Sequence, residues 1–158
     1  MKKKSCLVFL FLLGILWNVQ VHADGVSQPT FHTFKFTDQA TLQNMSDNGK
    51  WAVAFGTNGN SVEDFPKLID LATDKATELL SESGTALGNG AYDVNNEGTL
   101  VVGRYEGNPA VWTKTNNKWT VLPVPTGWDG GLVNAITPDG KWAIGRATKG
   151  QYDETPVL

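Results

Sequence analysis

Two arginines, Arg104 and Arg146, stand where a pair of cationic side chains would bind an acidic ligand. Each directly follows a glycine, Gly103 or Gly145, at the end of a short apolar run. Equivalent positions in repeated units point the same way, so the two guanidinium groups are expected to face one anion. Phe55 occupies the matching position of an earlier run, which weakens this hypothesis. Solvated arginines without a ligand remain the competing interpretation.

Trp128 is the third candidate for ligand binding. It lies in a glycine-rich stretch, residues 125–131, which is typical of a loop. An aromatic side chain in such a loop can stack on a sugar or a peptide, and structural packing is the alternative. Three other tryptophans of the repeats are expected to pack between sheets: Trp51, Trp112 and Trp142. Trp119 begins a predicted strand, and its role is ambiguous.

Side chains suited to catalysis are scarce, and we expect no catalytic residue, metal site or cofactor. His32 is the only histidine after residue 23, and Cys6 is the only cysteine of the chain, so no His/Cys zinc cluster can form. Residues 59–63 come nearest to a G-x-S-x-G motif and lack its second glycine. A pair of carboxylates that catalyses glycoside hydrolysis remains possible, because the sequence does not give their separation in space. The candidate acids are all expected in loops: Glu63, Asp64, Asp129, Asp153 and Glu154.

One segment resembles the start of a calcium-binding loop. Asp93, Asn95 and Glu97 alternate as the first ligands of an EF-hand do. Arg104 stands where that loop needs its final bidentate glutamate, and a cation there repels the ion. A tight turn is therefore the preferred interpretation.

The N-terminus has the three parts of a secretory signal peptide. Lys2, Lys3 and Lys4 precede an apolar stretch at residues 7–17, and a small-x-small site ends at Ala23. The apolar stretch is too short to span a membrane, which needs about 20 residues. We expect an exported protein, periplasmic, cell-surface or extracellular, that does not span the membrane after cleavage. The lysine-rich signal and cysteine-free mature chain suggest a bacterial source.

Charge argues against a nucleic-acid partner. The 158 residues include 13 Lys and Arg against 16 Asp and Glu, which gives a formal net charge of −3. Loss of the three N-terminal lysines makes this −6. Such a chain has no general excess of cations to neutralise phosphates. The length fits one domain or part of a larger one, and the apolar fraction of 41% is that of a globular protein.

Three segments align without gaps, at residues 45–54, 94–103 and 136–145. Each contains a polar turn that ends in glycine, followed by an apolar run, which predicts a β-hairpin. The turn glycines Gly49, Gly98 and Gly140 are 49 and 42 residues apart. A third strand is predicted after each hairpin. In the first two units, another turn and a fourth strand are predicted after that. This unit has the size of a propeller blade, whereas a β-sandwich or up-and-down barrel is the alternative.

The turns resemble the S-P-D-G-K-W type turns of the WD-like extracellular β-propeller repeats, such as those of the Tol translocation system. Residues 137–142 (TPDGKW) are the nearest copy, and residues 46–51 (SDNGKW) are a near copy that lacks the proline. Residues 95–100 (NNEGTL) depart most, because proline, lysine and tryptophan are all lost. The resemblance implies an all-β fold, a partial β-propeller of about two and a half four-stranded blades.

The expected domain order is a signal peptide at 1–23, a linker at 24–39 and propeller repeats at 40–158. Residues 31–36 form either a strand that closes the last blade or a simple edge strand. Because propellers need about four blades, the sequence is predicted to be the N-terminal part of a longer protein.

The resemblance implies an interaction role: a non-enzymatic scaffold that binds a protein, peptide or glycan. Two alternatives stay open, namely a propeller that gates a downstream hydrolase and a glycan-active propeller enzyme.

Overall fold

The computed structural model describes residues 39–57, 65–79, 90–150 and 153–158, all within one compact unit. The expected signal peptide, the linker with its closing strand, His32, and the acids Glu63 and Asp64 lie outside these ranges. Within them, no helix has the length and apolar character to span a bilayer.

The described residues form three antiparallel sheets, and each sheet takes its strands in sequence order. The first sheet contains β1 (Gln39–Met45), β2 (Trp51–Thr57), β3 (Phe65–Asp70) and β4 (Lys75–Glu78). The second contains β5 (Gly90–Val94), β6 (Leu100–Tyr105), β7 (Asn108–Thr113) and β8 (Lys118–Val121). The third contains β9 (Gly130–Ile136), β10 (Ala143–Lys149) and β11 (Asp153–Val157). The all-β prediction is confirmed for this part of the chain.

The three turns between the first two strands of each sheet have one conformation. Gly49, Gly98 and Gly140 have φ of 68°, 63° and 73°, a region that favours glycine. Each glycine N–H donates to the carbonyl three residues earlier, at 2.8 to 3.0 Å. The turn glycines predicted from the sequence are therefore confirmed.

The side chain of the first turn residue completes each turn. It accepts a hydrogen bond from the backbone N–H five residues later, at 3.0 to 3.1 Å, which caps the start of the next strand. Serine, asparagine and threonine all supply the required oxygen, so the fold is kept while the residue type changes: Ser46, Asn95 and Thr137.

A β-bulge recurs at the same place in the first hairpin of every sheet. The register shifts between Leu42 and Asn44 in the first sheet and between Ala91 and Asp93 in the second. In the third sheet the shift falls opposite Ile144 and Gly145. This shared irregularity shows that the three segments are structural equivalents and not merely similar turns.

The first two sheets are joined by a hydrophobic core. Val53 and Leu68 from the first sheet meet Val101 and Trp112 from the second, and all four are buried. Trp119 packs against the same cluster and donates its indole N–H to the carbonyl of Leu79 at 2.9 Å. The third sheet contacts the second in the same order, because β9 packs on β5, β6 and β7 as β5 packs on β1, β2 and β3.

Asp93 connects all three sheets. Its Oδ1 accepts from the Asn44 side-chain amide at 3.0 Å and from the Val94 N–H at 2.9 Å. Its Oδ2 accepts from the Ile136 N–H at 2.8 Å. Only 7% of the residue is exposed, and this burial raises the pKa of the Asp93 carboxyl, while the two backbone hydrogen bonds lower it.

Two sequence expectations need correction. Asp153 and Glu154 lie on β11, opposite Lys149 and Thr148, and not in a loop. Trp142 was expected to pack between sheets, but 64% of it is exposed, because no other described sheet covers its side of the third sheet. Trp112, by contrast, is 2% exposed, as expected of a core residue.

Candidate functional site

Arg104 and Arg146 occupy equivalent positions in successive sheets. Arg104 lies opposite Pro109 of the next strand, and Arg146 lies opposite Pro156 of the next strand in its own sheet. Side chains alternate along a strand, so Arg104 shares a face with Leu100, whose side chain lies over Gly140 of the third sheet. Arg146 is on the far face of that third sheet. Each arginine is thus on the side of its sheet that faces away from the first sheet, and the binding of one anion by both remains a prediction.

Trp128 lies at the same end of the sheets as Arg104, in the connection from β8 to β9. Gly127 has a φ of 87°, and the Trp128 N–H donates to the Pro125 carbonyl at 3.1 Å, which defines a tight turn. The indole is half-buried. Its role as a ligand-binding residue, like that of the two arginines, remains a prediction.

Asp129, one of the acids considered for catalysis, holds this connection in place. Its N–H donates to the Thr148 carbonyl at 2.9 Å, and its Oδ2 accepts from the Gly150 N–H at 2.9 Å. The carboxylate thereby ties the start of β9 to the turn that follows β10.

A concave site formed by the described residues was not found from the sequence. It is a cleft of about 370 Å³ between the first and second sheets, within the size range of ligand pockets. The first sheet contributes the ends of β2 and β3 and the strand β4, and the second contributes β7 and the turn after it. Its lining combines aromatic, charged and amide side chains: Trp51, Leu68, Asp70, Lys75, Thr77, Trp112, Lys114 and Asn117.

The Trp51 ring is contacted by two residues of the second sheet. The ammonium of Lys114 lies 4.5 Å from the ring centroid, a cation–π contact. Gly98 packs on the ring so closely that a β-carbon there would lie 2.3 Å from it. These two contacts hold the indole against the second sheet.

The cleft is rich in hydrogen-bond donors. Lys75 and Lys114 supply two ammonium groups, and Asn117 and Thr77 add neutral polar groups. The indole Nε1 of Trp112 is buried and has no acceptor within the described part of the chain. Asp70 is the one carboxylate in the lining, and its Oδ1 already accepts from the Ala72 N–H at 2.9 Å. The arrangement thus favours a ligand that brings acceptors and negative charge.

Sequence reasoning missed this cleft because its members come from separate units. Trp51 was predicted to be a core residue. Lys75 and Lys114 lie next to polar turns, where a lysine is ordinarily expected to be exposed to solvent. Only the packing of one sheet on the next brings Lys114 onto Trp51, 63 positions earlier in the chain.

In the third turn, the carboxylate of Asp139 accepts several hydrogen bonds. The Thr137 hydroxyl donates to Asp139 Oδ1 at 2.7 Å, and the Lys141 backbone and ammonium also donate to this carboxyl. Together they lower the pKa of Asp139 to about 2. Among the described residues, no group of three or more His, Cys, Asp or Glu is placed to hold a metal ion.

Comparison with known proteins identifies no relative: no protein-family model matches the chain, and no curated protein matches it significantly. The resemblance to WD-like repeats therefore rests on the turn motifs of the sequence.

Proposed function

We propose that this protein is an exported, non-enzymatic scaffold whose three sheets are successive blades of a β-propeller, and that it binds an acidic segment of a partner protein. Support for the blades comes from the common strand order, the recurrent bulge and the recurrent packing of each sheet on the next. The binding role rests on the cleft between the first two sheets.

The observation that carries the proposal is the presence of two lysines, Lys75 and Lys114, in the lining of one cleft. A carboxylate from a glutamate or aspartate side chain would pair with the ammonium groups of Lys75 and Lys114. An acidic peptide suits the cleft because its lining contains two lysines and a single carboxylate, that of Asp70. The partner would thus be recognised by charge and by the narrow, partly apolar walls.

Removal of either cleft lysine is expected to weaken binding of an acidic peptide by about tenfold, the value of one charge-assisted hydrogen bond. The variants Lys75→Met and Lys114→Met keep the length of the side chain and remove its charge. Titration of the purified protein with a short glutamate-rich peptide, followed by NMR or calorimetry, measures the change.

Three controls make this result specific. Lys141→Met removes an exposed lysine outside the cleft and is expected to leave binding unchanged. A glutamine-rich peptide of the same length is expected to bind far less well, and a glucuronate oligosaccharide tests the glycan alternative. Equal binding of the glutamine peptide, equal loss in Lys141→Met, or binding of the oligosaccharide alone would contradict the proposal.

A further inference from the structure

The contact between the first two turns follows a simple pattern. Trp51, two residues after the glycine of the first turn, lies over Gly98, the glycine of the second turn. A β-carbon at Gly98 would lie 2.3 Å from the indole ring, so only glycine allows this packing.

The same contact recurs one unit later. Leu100, two residues after Gly98, lies over Gly140, where a β-carbon would be 2.8 Å from the leucine Cδ1. Two consecutive interfaces are therefore built alike, with an apolar side chain of one unit on the turn glycine of the next.

Hydrogen bonds between the turns run in the same direction. The Asn48 side-chain amide donates to the carbonyl of Asn96 at 2.8 Å. The Asn96 N–H in turn donates to the carbonyl of Pro138 at 3.0 Å. In both cases the acceptor is the carbonyl of the second residue of the following turn.

In the third unit, the equivalent apolar side chains have nothing to cover among the described residues. Trp142 takes the position of Trp51 and Leu100, and it is 64% exposed. Ile144, which shares its face of the sheet, is 51% exposed, whereas its counterparts Val53 and Val102 are buried. The exposed face of the third sheet thus has the same arrangement of apolar residues as the faces that form the first-to-second and second-to-third sheet interfaces.

We infer that the face of the third sheet containing Trp142 and Ile144 docks a further β-sheet of the same repeat, with the glycine of that sheet's turn beneath Trp142. The inference rests on the proposed assignment of the sheets as successive blades. It does not depend on the lysine cleft, which lies between the first and second sheets.

The first sheet of a second copy is a poor occupant for this face. In the second sheet, Val101, Gly103 and Trp112 occupy the positions that face the preceding sheet. Their counterparts in the first sheet are Ala52, Ala54 and Ile69, and these are already buried to 4% exposure or less. The partner is therefore a further sheet of this repeat, and not the first sheet of another molecule.

The inference can be tested by extending the chain with its own sequence. Pro156 pairs with Arg146 as Pro109 pairs with Arg104, so Leu158 corresponds to Val111. The full chain followed by residues 112–158 of itself would complete the third sheet and supply a fourth. Phenylalanine in place of the second copy's Trp142 makes the original tryptophan identifiable in a tryptic digest.

Hydroxyl-radical footprinting with mass spectrometry measures the exposure of the original Trp142. We expect its oxidation to fall at least about fivefold in the extended chain relative to the 158-residue chain, since the ring becomes buried. Gly140→Val in the second copy only is the matched control, because its side chain would occupy the space beneath the ring. That variant is expected to restore oxidation of Trp142.

Unchanged oxidation in a folded extended chain, or equal protection in the valine control, would overturn the inference. A 158-residue chain that forms a dimer with Trp142 protected would also overturn it, by making a second copy the occupant. If the extended chain does not fold, footprinting of the protein from its natural source decides the matter, because Trp142 is expected to be protected there. Failure of these tests leaves the peptide titration with Lys75 and Lys114 variants unaffected.

Discussion

Replacement of Gly98 by alanine is expected to lower the free energy of unfolding by about 3 kcal/mol. Two costs add up at this position. A φ of 63° costs an L-residue about 1 to 2 kcal/mol. The added β-carbon would also lie 2.3 Å from the Trp51 ring, and overpacking of this kind typically costs about 1 to 3 kcal/mol. Urea denaturation of the Gly98→Ala protein measures the loss.

The other two turns supply matched controls for Gly98→Ala. Gly49 has a similar φ of 68°, but no atom lies within 4 Å of its β-carbon position, so Gly49→Ala carries the backbone cost alone. Gly140→Ala should be intermediate, because the neighbouring Leu100 methyl group at 2.8 Å belongs to a flexible side chain. Equal losses at Gly49 and Gly98 would show that the tryptophan does not constrain the second turn in solution.

Replacement of Asp93 by alanine is expected to cost about 3 kcal/mol, because one buried carboxylate serves three donors from three strands. Asn44, Val94 and Ile136 would each lose their acceptor, and two of these donors are backbone N–H groups. Asn44→Ala removes only one partner and is expected to cost less. Thermal and urea denaturation of the two variants measure the difference, and equal losses would place the contribution in Asn44 alone.

The pH dependence of stability gives an independent test of Asp93. Burial raises the pKa of its carboxyl above the ordinary value of 3.8, so the folded state holds this proton more tightly than the unfolded state. The stability that this group contributes is therefore present below the ordinary pKa and is lost as pH rises through the raised pKa. Asp93→Asn cannot titrate, so the stability advantage of the native protein over this variant should shrink as pH rises from about 4 through the raised pKa. A constant difference would contradict the raised pKa.

Local features of this fold could be predicted from the sequence because they depend on short-range stereochemistry. The positive φ of Gly49, Gly98 and Gly140 follows from the turn pattern. The strands after the turns follow from their apolar runs, although the observed strands extend two to four residues beyond the ends of those runs. Even the equivalence of Arg104 and Arg146 follows from the spacing of the repeats.

Features that depend on neighbouring sheets could not be predicted. Asp93 looked like a turn or calcium-loop residue, yet its partners Asn44 and Ile136 are 49 and 43 residues away. The lysine cleft needs the contact of Lys114 with Trp51, which no local pattern encodes. Trp142 has the same local sequence context as Trp51, and only the presence or absence of a following sheet distinguishes their burial.

The strand order of the sheets has a kinetic consequence. Every strand pairs with a neighbour in sequence, and each sheet packs on the one made just before it. The first two sheets can therefore form and bury Trp112 while later residues are still being synthesised. Asp93 remains one hydrogen bond short until β9 arrives with the Ile136 N–H. Completion of the third sheet thus supplies the last hydrogen bond of Asp93, which favours folding of the growing chain in the order of its sequence.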